Sequence, residues 1–539
     1  MITNLDLTVP AQLTLALVPD LVLMGGGMLL LIWAALRPES DRHQRAVGMA
    51  SIVLTGVTIL LCLAWSSRYT AGTGPIALDN FRWLIDVVVL LGTVFAIALS
   101  MDDNMRSGIT AAESHVLILL ASSGMMLLAA ARDLMIVFLG VELMSISVYA
   151  LAGMNRRSVR SAEGALKYFL LGAFSTAFLL YGIALVYGAT GTTNLALIAG
   201  RTTMYSLASS PLLLIGIALL LIGFGFKVAT VPFHMWAPDV YDGAPSPITA
   251  YMAATVKAAA FAAFIRVWLE AFPFSSGMWR PALSGLAIAT MVFGNAIGIV
   301  QRNLKRLLAY SSIGHAGYLL VAIASGTLQG SAAMLFYLFI YTLATFGAFA
   351  VVVTLTRENQ DTVMLDELSG LWRVRPWLAF AMAVLMLALM GFPIFGGAGF
   401  FAKWYVLQAA LNAPVKQTTL AIVLVLTTVI SAGYYLYVVM LMFMRPRPEG
   451  LPEPEQSGGL TRVVLAVTVV LLLVLGIVPE RAVEVARGGE PRFESTTATS
   501  TAALPGVLDL LVPGSSKPPE RVIFIKGPPR VKYDSVAAR

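Results

Sequence analysis

Apolar stretches of about twenty residues recur along this sequence from near residue 12 to near residue 480, and about twenty apolar residues suffice for a helix to cross the hydrocarbon core of a bilayer. They stand near 12–36, 46–66, 81–101, 113–131, 133–153, 162–188, 210–231, 245–271, 281–300, 304–325, 330–356, 376–411, 417–444 and 460–480. The fold class predicted is an all-α integral membrane protein with about fourteen transmembrane helices. Short loops between most windows predict antiparallel neighbours. Only 12% of the residues are charged, about half the roughly 25% of a soluble domain, so polar surface is too scarce to cover a water-facing globule. The opening MITNLDLTVPAQ lacks a basic segment and a cleavage site, so the first apolar run reads as a retained span rather than a signal peptide.

The formal charge of +7 does not point to nucleic acid, because the basic residues lie in short loops between spans and form no single patch. Instead they orient the chain. One set of alternating loops carries Arg37, Arg42, Arg45, Arg106, Arg156, Arg157, Arg160, Arg302, Lys305, Arg306, Arg357, Arg373, Arg375, Arg445 and Arg447; the other carries Arg68, Arg132, Arg201, Arg280 and Lys416. The richer set belongs in the cytoplasm. An even number of spans then puts both termini on the outer, periplasmic face of a bacterial inner membrane. The single cysteine, Cys62, lies in an apolar run and offers neither an internal disulfide nor a metal cluster. Beyond 480 the composition changes to Pro, Gly, Ser and Thr clusters, which predicts a mostly extended tail over 481–539 with a short ordered piece at 521–526.

Ionisable groups at bilayer depth are costly and tend to mark function. Glu142 lies mid-span with Ser145 and Tyr149 following at helical spacing. Lys227 sits in LLLIGFGFKVATVPFHMW, interrupted by glycines and Pro232, too deep to reach the interface with ease. Lys257 lies among small residues in ITAYMAATVKAAAFAAFIRVW. Lys403 lies in LALMGFPIFGGAGFFAKWYV, where Gly391, Pro393, Gly396, Gly397 and Gly399 interrupt the helix. Broken helices at this depth survive where they are buried in protein or line a wet cavity, and they recur at ion sites of transporters. Weaker candidates are Lys167, near enough to its span's start to extend to the interface; His234, just past the proline; and His315, one turn after Ser311 and Ser312. For each of these groups, packing or backbone capping competes with a role in proton transfer.

Lys227 and Lys403 stand 176 residues apart, and Glu142 and His315 stand 173 apart. The near-equal offsets predict a duplication: three N-terminal helices over 1–112, a first group of five over 113–271, a second over 281–444, and a last helix within 445–480. Five is odd, so the second group enters the membrane from the opposite side, giving two inverted five-helix repeats with broken seventh and twelfth helices. Each repeat supplies half of a path, and the ionisable residues form a line across the midplane suited to proton or cation hopping. No phosphate loop, cysteine cluster, haem ligand pair or nucleophile triad stands out.

The stretch FGFKVATVPFHMWAPDVYDGAPSPITAYMAATVKAAAFAAFIRV (224–267), with ALKYFLLGAFSTAFLLYG, NLKRLLAYSSIGHAGY and GFPIFGGAGFFAKWY, resembles the proton-translocating, antiporter-like membrane subunits of respiratory complex I. The resemblance covers roughly 10–480. Its APDVYDGAPSPITAYM wording is nearer to the N branch than to the L and M branches. It implies that Glu142 pairs with Lys227, that Lys257 connects the halves, that Lys403 lies on the outward path, and that Lys167 and His315 are auxiliary. It implies a non-redox subunit with no cofactor of its own, while NADH, FMN, iron–sulfur clusters and quinone bind elsewhere in the complex. The implied partners are the M-type subunit, the quinone-proximal small subunits, the lateral helix of the L subunit and membrane lipids. Relatives in Mrp-type sodium/proton antiporters and membrane-bound hydrogenases share this core and form the alternative. A non-conducting scaffold is a third reading. The tail beyond about 485 departs from the N pattern.

Overall fold

The computed structural model describes residues 2–38, 40–71, 74–109, 111–357, 362–394 and 397–491. The ordered piece expected at 521–526 and most of the predicted tail lie outside these residues. The chain is mostly helical, with twelve helices long and apolar enough to cross a membrane and two shorter apolar ones, Pro211–Lys227 and Pro376–Met390.

The long elements are α1 (Val18–Ala35), α2 (Asp41–Arg68), α3 (Asn80–Arg106), α4 (Glu113–Ala130), α5 (Leu134–Ala152), α6 (Val159–Thr190), α7 (Pro211–Lys227), α8 (Ser246–Ala271), α9 (Ser276–Ile299), α10 (Leu304–Ser325), α11 (Leu328–Leu355), α12 (Pro376–Met390), α13 (Gly397–Asn412), α14 (Thr418–Met444) and α15 (Gly459–Ile477). Their starts follow local chemistry. Ser40, Asp79, Asp133, Ser158, Asn303 and Thr327 each accept a backbone N–H of the first turn through the side chain, satisfying donors that a helix leaves open. Where a tail was expected from 481, a short amphipathic helix α16 (Glu480–Gly488) forms instead. Its Val483 and Ala486 are buried, and the Asn80 amide donates to the Gly488 carbonyl at 2.9 Å.

Burial separates a central group from a peripheral one. The α8 window is wholly buried within the chain and those of α10 and α11 are 94% buried, whereas α6 and α14 reach only 33%. Lys257 and His315 therefore ride on helices shielded from lipid on every side. Small residues bring backbones together: a Cβ on Gly124 of α4 would lie 2.6 Å from the Met144 nitrogen of α5.

Both predicted breaks are present. Helix α7 ends at Lys227, and residues 228–236 are non-helical before a short helix, Ala237–Gly243. The twelfth window divides into α12, which ends at a left-handed Gly391 (φ 82°), and α13. Gly396, one of the glycines expected to break it, lies outside the described residues.

Two loop contacts match at a constant offset. Asp133 bridges Asn194, the Leu134 N–H donates to the Thr193 carbonyl at 2.9 Å, and the Leu195 N–H donates to the Arg132 carbonyl at 3.0 Å. Asn303 bridges Met364, the Leu304 N–H donates to Val363 at 2.9 Å, and the Leu365 N–H donates to Arg302 at 2.8 Å. Each residue of the second set follows its counterpart by 170 positions.

Gly124→Ala should destabilise the chain by about 1–3 kcal/mol, the usual cost of overpacking. A lower unfolding midpoint in mild detergent checks this, with Gly433→Ala, where a Cβ meets open space within α14, leaving the midpoint equal or slightly higher.

Candidate functional site

Lys227 is the last residue of α7, so the break in the helix delivers its amine among neighbouring side chains. It is buried, and Nζ donates to Ser145 Oγ at 2.7 Å and to the Tyr149 hydroxyl at 3.2 Å. Both acceptors lie on α5, one turn apart. Gly172 of α6 makes room for this arrangement, because a Cβ there would lie 2.0 Å from the Tyr149 hydroxyl. Beneath it, Tyr168 stacks on Trp236 with centroids 4.4 Å apart, and the Trp236 indole donates to the Phe226 carbonyl at 3.1 Å. These contacts hold the loop after α7 against α6.

The implied Glu142–Lys227 pair is not closed. Glu142 is half-buried on an α5 face where Met135, Leu139 and Ile146 are exposed, and the lysine takes the hydroxyls instead.

Lys257 follows a π-helical stretch, Met252–Val256, within α8. Such widened turns are frequent at functional positions. Its amine donates to the Ser312 carbonyl at 2.9 Å and Ser312 Oγ at 2.6 Å. One turn on, His315 Nδ1 lies 2.6 Å from the Tyr337 hydroxyl and Nε2 lies 3.1 Å from that of Tyr435. The Tyr435 hydroxyl also contacts Ser311 Oγ, and the Tyr341 ring packs 4.9 Å from the imidazole. His315 is within electrostatic reach of both Lys257 and Lys403.

Lys403 completes this run. Its Nζ donates to the Met390 carbonyl at 2.8 Å, the last residue of α12, where unsatisfied carbonyls and the negative end of the helix dipole favour a cation. The amine also lies 4.7 Å from the Tyr318 ring centroid. A cavity of about 10 Å³ separates Lys403 from His315 and is lined by Tyr337, Tyr341 and Gly399.

The structure thus sets His315 one turn from the Ser312 that holds Lys257 and places it with Lys403 on one small cavity, and gives Lys227 its own hydroxyl pair. Lys167 is not part of either. It is 42% exposed at the start of α6 and joins Glu163 at 2.7 Å and Asp239 at 2.9 Å, with Arg306 reaching the other Asp239 oxygen at 3.0 Å. Burial opposes the Asp239 charge, but the hydrogen bonds from Lys167 and Arg306 outweigh it and hold its carboxyl below the usual range. His234 is half-buried near Phe293, and its Nδ1 has no partner. Among the described residues, no group of three His, Cys, Asp or Glu is arranged to hold a metal.

Sequence reasoning missed the tyrosines. Tyr337 and Tyr341 stand four apart in FYLFIY, a spacing that places both on one face of α11. Tyr435 has no local signal, because its role depends on how α14 crosses α10.

Residues 131–431, which include every lysine, histidine and glutamate candidate above but not Tyr435, match the family described as NADH:quinone oxidoreductase/Mrp antiporter, TM. Subunit N of the NADH-quinone oxidoreductase of Gemmatimonas aurantiaca is 52% identical over 505 residues, spanning 91% of this chain and 95% of its own length. The chain belongs to the NADH-quinone oxidoreductase subunit N family. A chain in the structure of respiratory complex I from Thermus thermophilus with bound aureothin is 36% identical with a TM-score of 0.74, covering 87% of this chain and all of that one. A chain of the Mrp complex from Dietzia superposes with a TM-score of 0.78 at 21% identity, over 91% of this chain and 99% of its own, which extends the shared fold beyond the subunit N family. Among the implied alternatives, the sequence evidence sides with complex I.

Ser312→Ala removes one of the two acceptors of the buried Lys257 amine and leaves it the Ser312 carbonyl alone. Ser312→Ala should cost about 1–3 kcal/mol, while Lys257→Met combined with Ser312→Ala, which removes both partners, should cost less than Ser312→Ala alone. Unfolding midpoints of the two variants check this. Equal or greater loss in the double variant would show that the contact carries no such dependence.

Proposed function

We propose that this chain translocates protons as a membrane-arm subunit of an NADH:quinone oxidoreductase, driven by quinone reduction in other subunits. The observation that carries the reading is the set Lys257, Ser312, His315 and Lys403, in which the two amines at membrane depth are held by hydroxyl and carbonyl groups and neither by a carboxylate, with His315 held by two tyrosine hydroxyls between them. A lysine held by neutral partners can gain or lose its proton without abandoning a buried counter-charge. Lys227, with Ser145 and Tyr149, serves as the proton carrier of the first half. Lys257 and His315 connect the halves, and Lys403 passes protons outward.

In this reading the two halves are inverted five-helix repeats. The loop contacts that recur 170 residues apart support that duplication, with Arg132 and Arg302 beginning equivalent helices from opposite faces. This register sets Ser312 against Glu142 and His315 against Ser145, in place of the 173-residue pairing of Glu142 with His315. The chain itself carries no redox step, and NADH, FMN, iron–sulfur clusters and quinone belong to partner subunits. Glu142, half-exposed among apolar side chains of α5, needs a polar partner at membrane depth. A neighbouring membrane subunit, M-type on one side or quinone-proximal on the other, supplies it. The chain sits in a bacterial inner membrane with its N-terminus on the periplasmic side, as the loop charges require.

Lys227→Ala in an assembled complex should lower the protons moved per electron while NADH oxidation persists. A wild-type ratio with normal assembly would remove Lys227 from the path.

A further inference from the structure

A second set of buried charges joins four residues N-terminal to the stretch that matches the family with three inside it. Asp20 of α1, Arg82 and Asp86 of α3, and Asp79 at the N-cap of α3 meet Arg266 and Glu270 of α8 and Arg132 before α5. All seven are buried. Two pairs are matched. Arg266 donates to both Asp79 oxygens at 2.8 and 2.9 Å, and Arg132 joins Glu270 at 2.8 Å. The remaining three are not matched. Arg82 donates to Asp20 Oδ2 at 2.5 Å and to Asp86 Oδ2 at 3.3 Å, so one guanidinium faces two carboxylates. Asp20 Oδ1 and Asp86 Oδ1 are buried without a partner.

Two carboxylates around one fixed cation cannot both stay ionised cheaply in a dry site. Orphan carboxylate oxygens add to the cost. One proton removes the excess charge, leaving one anion, one cation and one neutral acid, and a neutral acid costs less than an anion to leave with an unpaired oxygen. The neighbours offer no other source of neutrality: Cys62 of α2 lies beside the triad as a buried free thiol, and the other acids are taken up by Arg266 and Arg132. Asp20 keeps the shorter contact with Arg82, whereas Asp86 is fully enclosed and holds the longer one.

We propose that Asp20 and Asp86 share a single proton around Arg82, held chiefly on Asp86, as a proton-binding site among the N-terminal helices separate from the lysine run. The site does not depend on the transport reading, since a chain that moved no protons would still hold this one.

The test is infrared spectroscopy of the assembled complex, comparing wild type with Asp86→Asn, Asp20→Asn and the double variant. An amide mimics the neutral acid, so Asp86→Asn should assemble normally and lose one carboxylic-acid C=O band present in wild type at neutral pH. The double variant leaves Arg82 without a counter-charge, and its accumulation should fall at least about tenfold, as expected for an unpaired buried charge. Arg82→Met added to the double variant should restore it. Persistence of every carboxylic-acid band in both single variants would overturn the proposal. So would failure of each single variant to the same extent as the double, which would mean that both carboxylates are ionised.

Discussion

The cost of carrying charge into lipid governs this structure. A bilayer core offers no water to an ammonium or guanidinium, so each buried cation must find its partner within the chain. Two solutions stand side by side. Arg82, Arg132 and Arg266 are tied to carboxylates, and arginine does not give up its proton, so these contacts act as fixed cross-links between α1, α3 and α8. Lys227, Lys257 and Lys403 are held by hydroxyls and carbonyls. Such partners stabilise an ammonium only partly, and a lysine readily changes protonation when buried. Fixed charges fasten the frame, and the proposed function assigns the lysines at its centre to proton exchange.

Irregular helix geometry sets each lysine at its post. Lys227 ends a helix, Lys257 follows a widened turn, and Lys403 faces the open carbonyl end of α12. A continuous α-helix would bond every carbonyl to its own backbone and leave none for an amine. At Lys403 the break provides the acceptor, whereas Lys227 takes two side-chain hydroxyls and Lys257 the hydroxyl and carbonyl of Ser312. Lys257 rides on α8, which is enclosed by the other helices, and the Lys227 and Lys403 side chains are buried in protein beside their breaks, the condition under which such openings persist.

Much of this was legible in the sequence. Hydropathy windows located the spans, and Gly and Pro in LLLIGFGFKVATVPF and LMGFPIFGGAGFF marked both breaks. Lysines in apolar runs marked the centre of the site. Contacts between distant helices left weaker traces. Tyr435 joins His315 across 120 residues, and nothing near it in the sequence announces that. Lys167 read as a possible member of the line because its depth depends on the fold of Ala237–Gly243, which brings Asp239 beside it at the rim. Arg82 and Asp86 stand in plain view at helical spacing, but their meaning needs Asp20, which comes from another helix.

The central claim is that a lysine held by neutral partners exchanges its proton during turnover. Lys227→Arg tests it most directly, since arginine keeps the charge and hydrogen-bonding capacity but does not deprotonate near neutral pH. Proton pumping per electron, measured in vesicles containing the assembled Lys227→Arg complex, should fall while assembly and NADH oxidation persist. A ratio equal to that of wild type would mean that a permanent charge suffices at this position, and the account would be wrong.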